Sequence, residues 1–212
     1  MTPDLPGLYA DAVERVATLA AGVDERVGRR AVPATPAWTV HDLLGHLAGA
    51  ATDVVDGRLD GSPGRSWTNR QVVERRSRTT AELASELRAS AGRMPAGTLT
   101  AAGPTPVWDL LTHEADLREA LDLPRAPAAT WELLLPLVVA VIGGRPRVRG
   151  FEVRTTQASW RVGVPTALVT LDGDDYELLR ILFSRRSTEQ IARVSDGVGL
   201  LEPVALFGPR AA

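Results

Sequence analysis

Up to Leu121 the apolar residues recur at three-to-four spacing in one long segment after another, and beyond Pro124 that pattern gives way to alternation. A chain patterned in this way must bury one stripe along each of several consecutive helices, and with short connections the arrangement that does so is a helix bundle. The first helix runs from Leu8 to about Val27 through Leu8, Ala12, Val13, Val16, Leu19 and Ala20, with Gly28 as its stop. Arg29 to Ala37, holding Pro33 and Pro36, reads as a linker. Thr39 followed by Asp42 forms a capping box for a second helix over Val40–Asp56, which buries Val40, Leu43, Leu44, Leu47, Ala51 and Val54. After a loop from Gly57 to Arg65, the stretch Trp67 to Met94 has weaker periodicity, with a break near Ser77 to Thr80 where Thr79 or Thr80 caps a new start. A proline-rich connector, Pro95 to Pro106, leads to the fourth long helix, Val107 to Leu121, closed by Pro124.

The remainder has another character. Trp131 to Ile142 is a strongly apolar helix, FEVRTTQASWRVG (Phe151 to Gly163) and ALVTLDG (Ala167 to Gly173) have the alternation of strands, and Asp174–Ser184 and Ser187–Val194 return to helical spacing. The expected architecture is α+β overall, a four-helix bundle over residues 1–125 followed by a small α+β domain over 126–212. A chain of 212 residues buries about 70% of its unfolded surface, enough for a core without staples.

Composition narrows the chemistry. All 24 basic side chains are arginine, and there is no lysine and no cysteine. Lysine Schiff-base chemistry, the lysine of a phosphate loop, thiolate nucleophiles, disulfides and cysteine-built metal sites are therefore excluded. Any metal or acid–base centre has to draw on His41, His46, His113 and carboxylates. The net charge of −2 and the scattered arginines give no field for nucleic acid. No apolar run approaches the ~18 residues of a membrane span and the N-terminal segment lacks a basic start before an apolar core, so the expected location is the cytoplasm. Arginine to the exclusion of lysine matches the codon usage of a GC-rich genome.

The chemistry-bearing residues concentrate on two helices. Asp109 and His113 are four apart, on one helical face and able to reach one ion, and Asp116 follows a turn later on the same flank. His46 lies at the border of the buried sector of the second helix, whereas His41 is five residues away and on the other flank. His46, Asp109 and His113 thus form a candidate set of two imidazoles and one carboxylate with coordination positions left open. Taken alone, the Asp109–His113 spacing is more often a solvated hydrogen-bonded pair, and a lone histidine is more often packed or capping. Asp116 is either a support for His113 or a solvated aspartate. Arg118 meets either Glu114 or an anionic substrate, and Trp38 and Trp108 are corner packing or pocket wall. Arg75, Arg76 and Arg78 read as a solvated face.

PAWTVHDLLGHLAG (Pro36 to Gly49), LLTHEADLREALDLP (Leu110 to Pro124) and the C-terminal stretch Thr170 to Gly197 together resemble the mycothiol-dependent maleylpyruvate isomerase family of DinB-like four-helix-bundle metalloenzymes, of the actinobacterial type. The tryptophan-threonine-valine entry into a helix carrying leucine-x-histidine-leucine is matched by Trp38–Val40 and Leu44–Leu47. The later acidic-x-x-x-histidine pair falls on Asp109 and His113. The resemblance implies a DinB-like bundle, a divalent metal on His46, Asp109 and His113, and mycothiol as the thiol cosubstrate. Zinc is the expected metal, and iron, nickel and manganese suit the same donors. It also implies a homodimer and a thiol or substrate contact from Arg185, beside Trp38 and Arg118. The sequence departs from the family in carrying aspartate where the family has glutamate, and Ser184-Arg185 where it has glycine-arginine.

With no cysteine in the chain, the sulfur has to arrive on a small molecule. The expected function is a metal-dependent thiol transferase or isomerase acting on an electrophilic substrate. The alternatives are a non-catalytic ligand- or partner-binding member of the same fold and, ranked below both, a metal-dependent hydrolase with Asp116 as base.

Overall fold

Helix starts in this chain follow its short polar side chains. In the structure, a computed structural model that describes residues 4–95, 97–99, 106–144, 150–163 and 169–195, the chain divides into two compact units, Met1–Ala126 and Pro127–Ala212. Helix α1 (Leu5–Ala21) begins on Asp4, whose carboxylate accepts from the Gly7 amide, with Pro6 in the first turn. It therefore starts a turn earlier than the periodicity predicts, and it ends at Gly22, not Gly28. A second cap, Asp24 accepting from Val27 N–H, starts the separate short helix α2 (Glu25–Gly28). Two competing caps within three residues of one another divide the predicted helix.

The predicted linker is also structured. Strands β1 (Ala31–Val32) and β2 (Thr35–Thr39) pair as a short antiparallel hairpin with an irregular register between Ala31 and Val32. Its two prolines hide it from a strand search, yet Pro33 falls in the turn between the strands and Pro36 in β2, an edge strand of a two-stranded ribbon. The hairpin ends on Thr39, the N-cap of α3 (Val40–Asp56), where the capping box with Asp42 forms as its spacing requires. Gly57 closes α3 in the left-handed conformation, φ 71°.

The stretch with weak periodicity is two helices, α4 (Arg65–Arg75) and α5 (Thr80–Ala91), the second starting on a Thr79–Glu82 capping box. Helix α6 (Pro106–Ala120) completes the bundle, and the Pro95–Pro106 connector before it lies largely outside the described residues. Helices α1, α5, α3 and α6 pack as a closed ring in which α1 and α3 each touch both α5 and α6, and α4 lies against α3.

That ring changes the reading of α6. An amphipathic helix with a polar flank is expected, but Val107, Trp108, every residue from Leu110 to Leu117, and Ala120 are buried. Helices α1 and α3 and the β1 strand all pack on it, so Thr112, His113, Glu114 and Asp116 are enclosed by protein, while Asp109 keeps a partly open side. Arg75 corrects the expected solvated run in the same way: it is buried, with its guanidinium on Glu86 and on the Gln71 carbonyl.

Helices α3 and α4 approach so closely that position 49 must be glycine. A Cβ at Gly49 would lie 2.6 Å from Gln71 Cβ and 2.9 Å from Arg75 Nη1. Gly49→Ala is expected to destabilise the bundle by about 1–2 kcal/mol, because overpacking of this kind outweighs the ~1 kcal/mol gain in helix propensity. Thermal unfolding checks this. A raised Tm would mean that the two helices part without loss.

In the second unit α7 (Ala128–Gly143) buries Trp131, Leu134, Leu135, Val138, Val139 and Ile142. The Phe151–Gly163 stretch is a hairpin of β3 (Gly150–Arg154) and β4 (Ser159–Gly163), with β5 (Val169–Asp172) parallel on the other side of β3. Ala167 and Leu168 of the predicted strand lie outside the described residues. Helices α8 (Asp175–Leu182) and α9 (Thr188–Ile191) start on Asp174 and Ser187, and α9 is shorter than the predicted Ser187–Val194. Among the described residues no helix is long and apolar enough to cross a membrane.

Candidate metal centre

The cap of α3 places the first histidine. Thr39 starts α3 and puts His46 two turns inside it, 1% exposed and facing α6. On α6, Asp109 and His113 stack one turn apart. His46, Asp109 and His113 each contribute one ligand-type atom, and these atoms lie within 4.8 Å of one another. His46 Nε2 is 3.4 Å from Asp109 Oδ2, and His113 Nε2 is 3.6 Å from Asp109 Oδ1. The two imidazoles meet edge-on, with centroids 4.9 Å apart at 85°.

The other nitrogen of each ring settles its protonation. His113 Nδ1 is 2.8 Å from Asp116 Oδ2, and a carboxylate with no proton only accepts, so Nδ1 carries the hydrogen. His46 Nδ1 is 2.7 Å from Gln71 Oε1. The Gln71 amide is oriented by its Nε2 donating to Asp53 Oδ2 at 2.8 Å, which leaves Oε1 toward His46 as an acceptor. In its neutral form each ring therefore turns the Nε2 lone pair toward Asp109.

Three acceptors converging at this distance repel unless a cation sits among them. Ligand atoms ~2.1 Å from a tetrahedral ion stand about 3.4 Å apart, the separation seen from Asp109 to each histidine. The donor set thus fits a divalent ion, with carboxylate and amide partners behind the two imidazoles in the manner of metal-bound histidines. The Asp109 side chain is 38% exposed, which leaves one side of the site open.

Trp38, delivered by the β2 strand, forms a wall of this site, its ring centroid 5.0 Å from His46 and 6.0 Å from His113. Trp67 meets His46 edge-on from α4. Tyr9 is buried on α1, and burial, with the Asp109 charge adding to it, holds its phenol protonated well above the usual range. Asp116, 0% exposed, is not a solvated aspartate. His41 is turned away, with Nε2 donating to the Arg78 carbonyl at 2.7 Å. Arg118 takes the ion-pair reading: its Nε donates to Glu114 at 2.9 Å and its Nη1 to the Pro124 carbonyl. Arg185 belongs to the second unit, where Nη1 donates to the Phe183 carbonyl.

Residues 9–129, more than half of the chain, match the model of the mycothiol maleylpyruvate isomerase N-terminal domain. The chain belongs to the mycothiol maleylpyruvate isomerase family. Two solved structures share its fold: that of the mycothiol-dependent maleylpyruvate isomerase, at 17% identity and a TM-score of 0.55, and that of a histidine-to-alanine mutant, at 15% and 0.56. Each alignment covers 86% of this chain and 88% of the other. No curated protein matches the chain in sequence.

Within this family member the sequence reading missed the residues behind His46. Gln71 and Asp53 are both 0% exposed, on α4 and α3; Asp53 lies two turns after His46 on the same helix, but no spacing rule connects Gln71 to a histidine on another helix. A glutamine and an aspartate facing each other across a glycine-lined contact, Gly45 and Gly49 on α3, are the signal that was available.

Proposed function

We propose that this member of the mycothiol maleylpyruvate isomerase family is a metal-dependent thiol transferase or isomerase that uses mycothiol, with His46, Asp109 and His113 holding a divalent ion, zinc first. The observation that supports this is the convergence of two Nε2 lone pairs, each held in place through its Nδ1–H, on one carboxylate. A divalent ion bound there supplies the Lewis acidity that keeps a thiol as its thiolate at neutral pH. Asp116 and Gln71 keep the imidazoles oriented, Trp38 shields one side from water, and the open side at Asp109 admits the thiol. The sulfur comes from the cosubstrate because the chain has no cysteine. The small electrophile is the second partner, and the location that goes with this reading is the cytoplasm.

Hydrolysis has less support, since the nearby carboxylates are engaged: Glu114 with Arg15 and Arg118, and Asp116 with His113. The test is turnover of a generic electrophile with mycothiol by the zinc-loaded protein. The expected rate disappears on chelation and returns on re-addition of zinc. A loaded protein with no rate above buffer would leave the binding-module reading in its place.

A further inference from the structure

The two histidines of the site are supported differently. His113 leans on a carboxylate of its own helix, Asp116, three residues on. His46 leans on an amide from another helix, Gln71, and that amide is oriented by a second buried group, Asp53. Asp53 is itself fixed: Arg70 Nη2 is 3.0 Å from Oδ2 and Arg58 Nη2 is 2.6 Å from Oδ1. Two guanidinium groups at the bundle surface thus hold an ionised carboxylate in the interior. That carboxylate can only accept, so the Gln71 amide can stand in only one of its two orientations. The loop after α3 is tied to the same group, because Trp67 Nε1 and Arg70 Nη2 both donate to the Arg58 carbonyl.

From this relay the geometry points to Gln71, backed by Asp53, as a positioning residue that sets the tautomer of His46. A free neutral imidazole prefers its proton on Nε2, the atom that a metal needs bare. Which ring nitrogen is protonated is set by the hydrogen bond at the other. Gln71 Oε1 accepts from Nδ1 and so inverts the intrinsic preference before any ion arrives. This rests on the metal-site reading for its purpose, but the tautomer belongs to the metal-free chain.

With three histidines in the sequence the experiment is tractable, because ¹⁵N-edited spectra of the metal-free protein resolve each ring. In the wild type, His46 and His113 are expected with the proton on Nδ1, and His41, whose Nε2 faces the Arg78 carbonyl, with it on Nε2. Gln71→Leu removes the acceptor. It is expected to shift His46 toward the Nε2–H form, leave His41 and His113 unchanged, and weaken zinc about 10–100-fold in competition with a chromophoric chelator. Gln71→Glu alone would set a second buried carboxylate against Asp53 at 2.8 Å, so it is combined with Asp53→Asn, which keeps an acceptor toward His46 and a donor behind it and is expected to recover the Nδ1–H form of His46 and most of the lost zinc affinity. His46 carrying Nε2–H in the wild type would overturn the assignment, and that measurement needs no variant to fold. So would an unchanged tautomer in Gln71→Leu, or equal losses in Gln71→Leu and in the Gln71→Glu, Asp53→Asn double variant, which mark a purely structural role. If the tautomers are as expected but the wild type binds no zinc, the metal reading fails and the relay stands.

Discussion

His46→Ala and His113→Ala are each expected to reduce bound divalent metal to background and to cut mycothiol-dependent turnover by about 10³-fold or more, equivalent to at least about 4 kcal/mol of barrier. Neither loss is a partial one. His46 and His113 are two of the three groups that converge, and Asp109 with one imidazole cannot enclose an ion whose other neighbours are water. His41→Ala is the matched control. Its ring contacts the Arg78 carbonyl instead of the site, so metal content and rate should equal the wild type. Elemental analysis of untagged protein reads the first effect and the electrophile assay the second. Wild-type metal content in His46→Ala would sink the three-ligand assignment, whatever the assay shows.

The second large effect concerns stability. Glu114 is 0% exposed in the middle of α6, directly after His113. Arg15 on α1 reaches it with a two-pronged contact, Nε to Oε1 and Nη2 to Oε2, each 2.8 Å, and Arg118 adds a third donor at 2.9 Å. Arg15→Met leaves a carboxylate in the interior with one cation instead of two. Breaking a buried pair in this way costs about 3 kcal/mol, roughly 10 °C in Tm for a protein of this size. Arg15→Lys keeps the charge but loses the fork, so it should restore only part of the loss. In Arg15→Met with Glu114→Leu the buried charge is gone and more than half of the stability should return. Scanning calorimetry and urea unfolding measure all three. A Tm within about 1 °C of wild type for Arg15→Met would show that the pair contributes nothing to the bundle.

Local signals carried much of the fold. Thr39 with Asp42 placed the start of α3, the threonines at 79 and 80 divided α4 from α5, and the alternation after Phe151 marked the sheet, because caps and side-chain periods act over three or four residues. The β1–β2 hairpin escaped, since two prolines mask its strands and its pairing is too short to show a period. The burial of α6 escaped as well. Asp109, His113 and Asp116 read as a polar stripe beside the apolar seam, and only packing between α1 and α3 buries His113 and Asp116 while leaving Asp109 partly open.

The candidate site divides along the same line. By itself the sequence determined which atoms were available: two helices bearing histidines, a carboxylate four residues from one of them, and no cysteine thiol or lysine amine to compete. A helix holds such residues on one face by its 3.6-residue turn, whatever surrounds it. The tertiary structure decided what those atoms are. It brought α3 against α6 so that His46 faces Asp109 and His113, set Gln71 against His46 through a contact that Gly49 alone permits, and anchored Asp53 with Arg58 and Arg70. Which ring nitrogen holds the proton depends on a neighbour 25 residues away in the chain, and that contact exists only once the helices have packed.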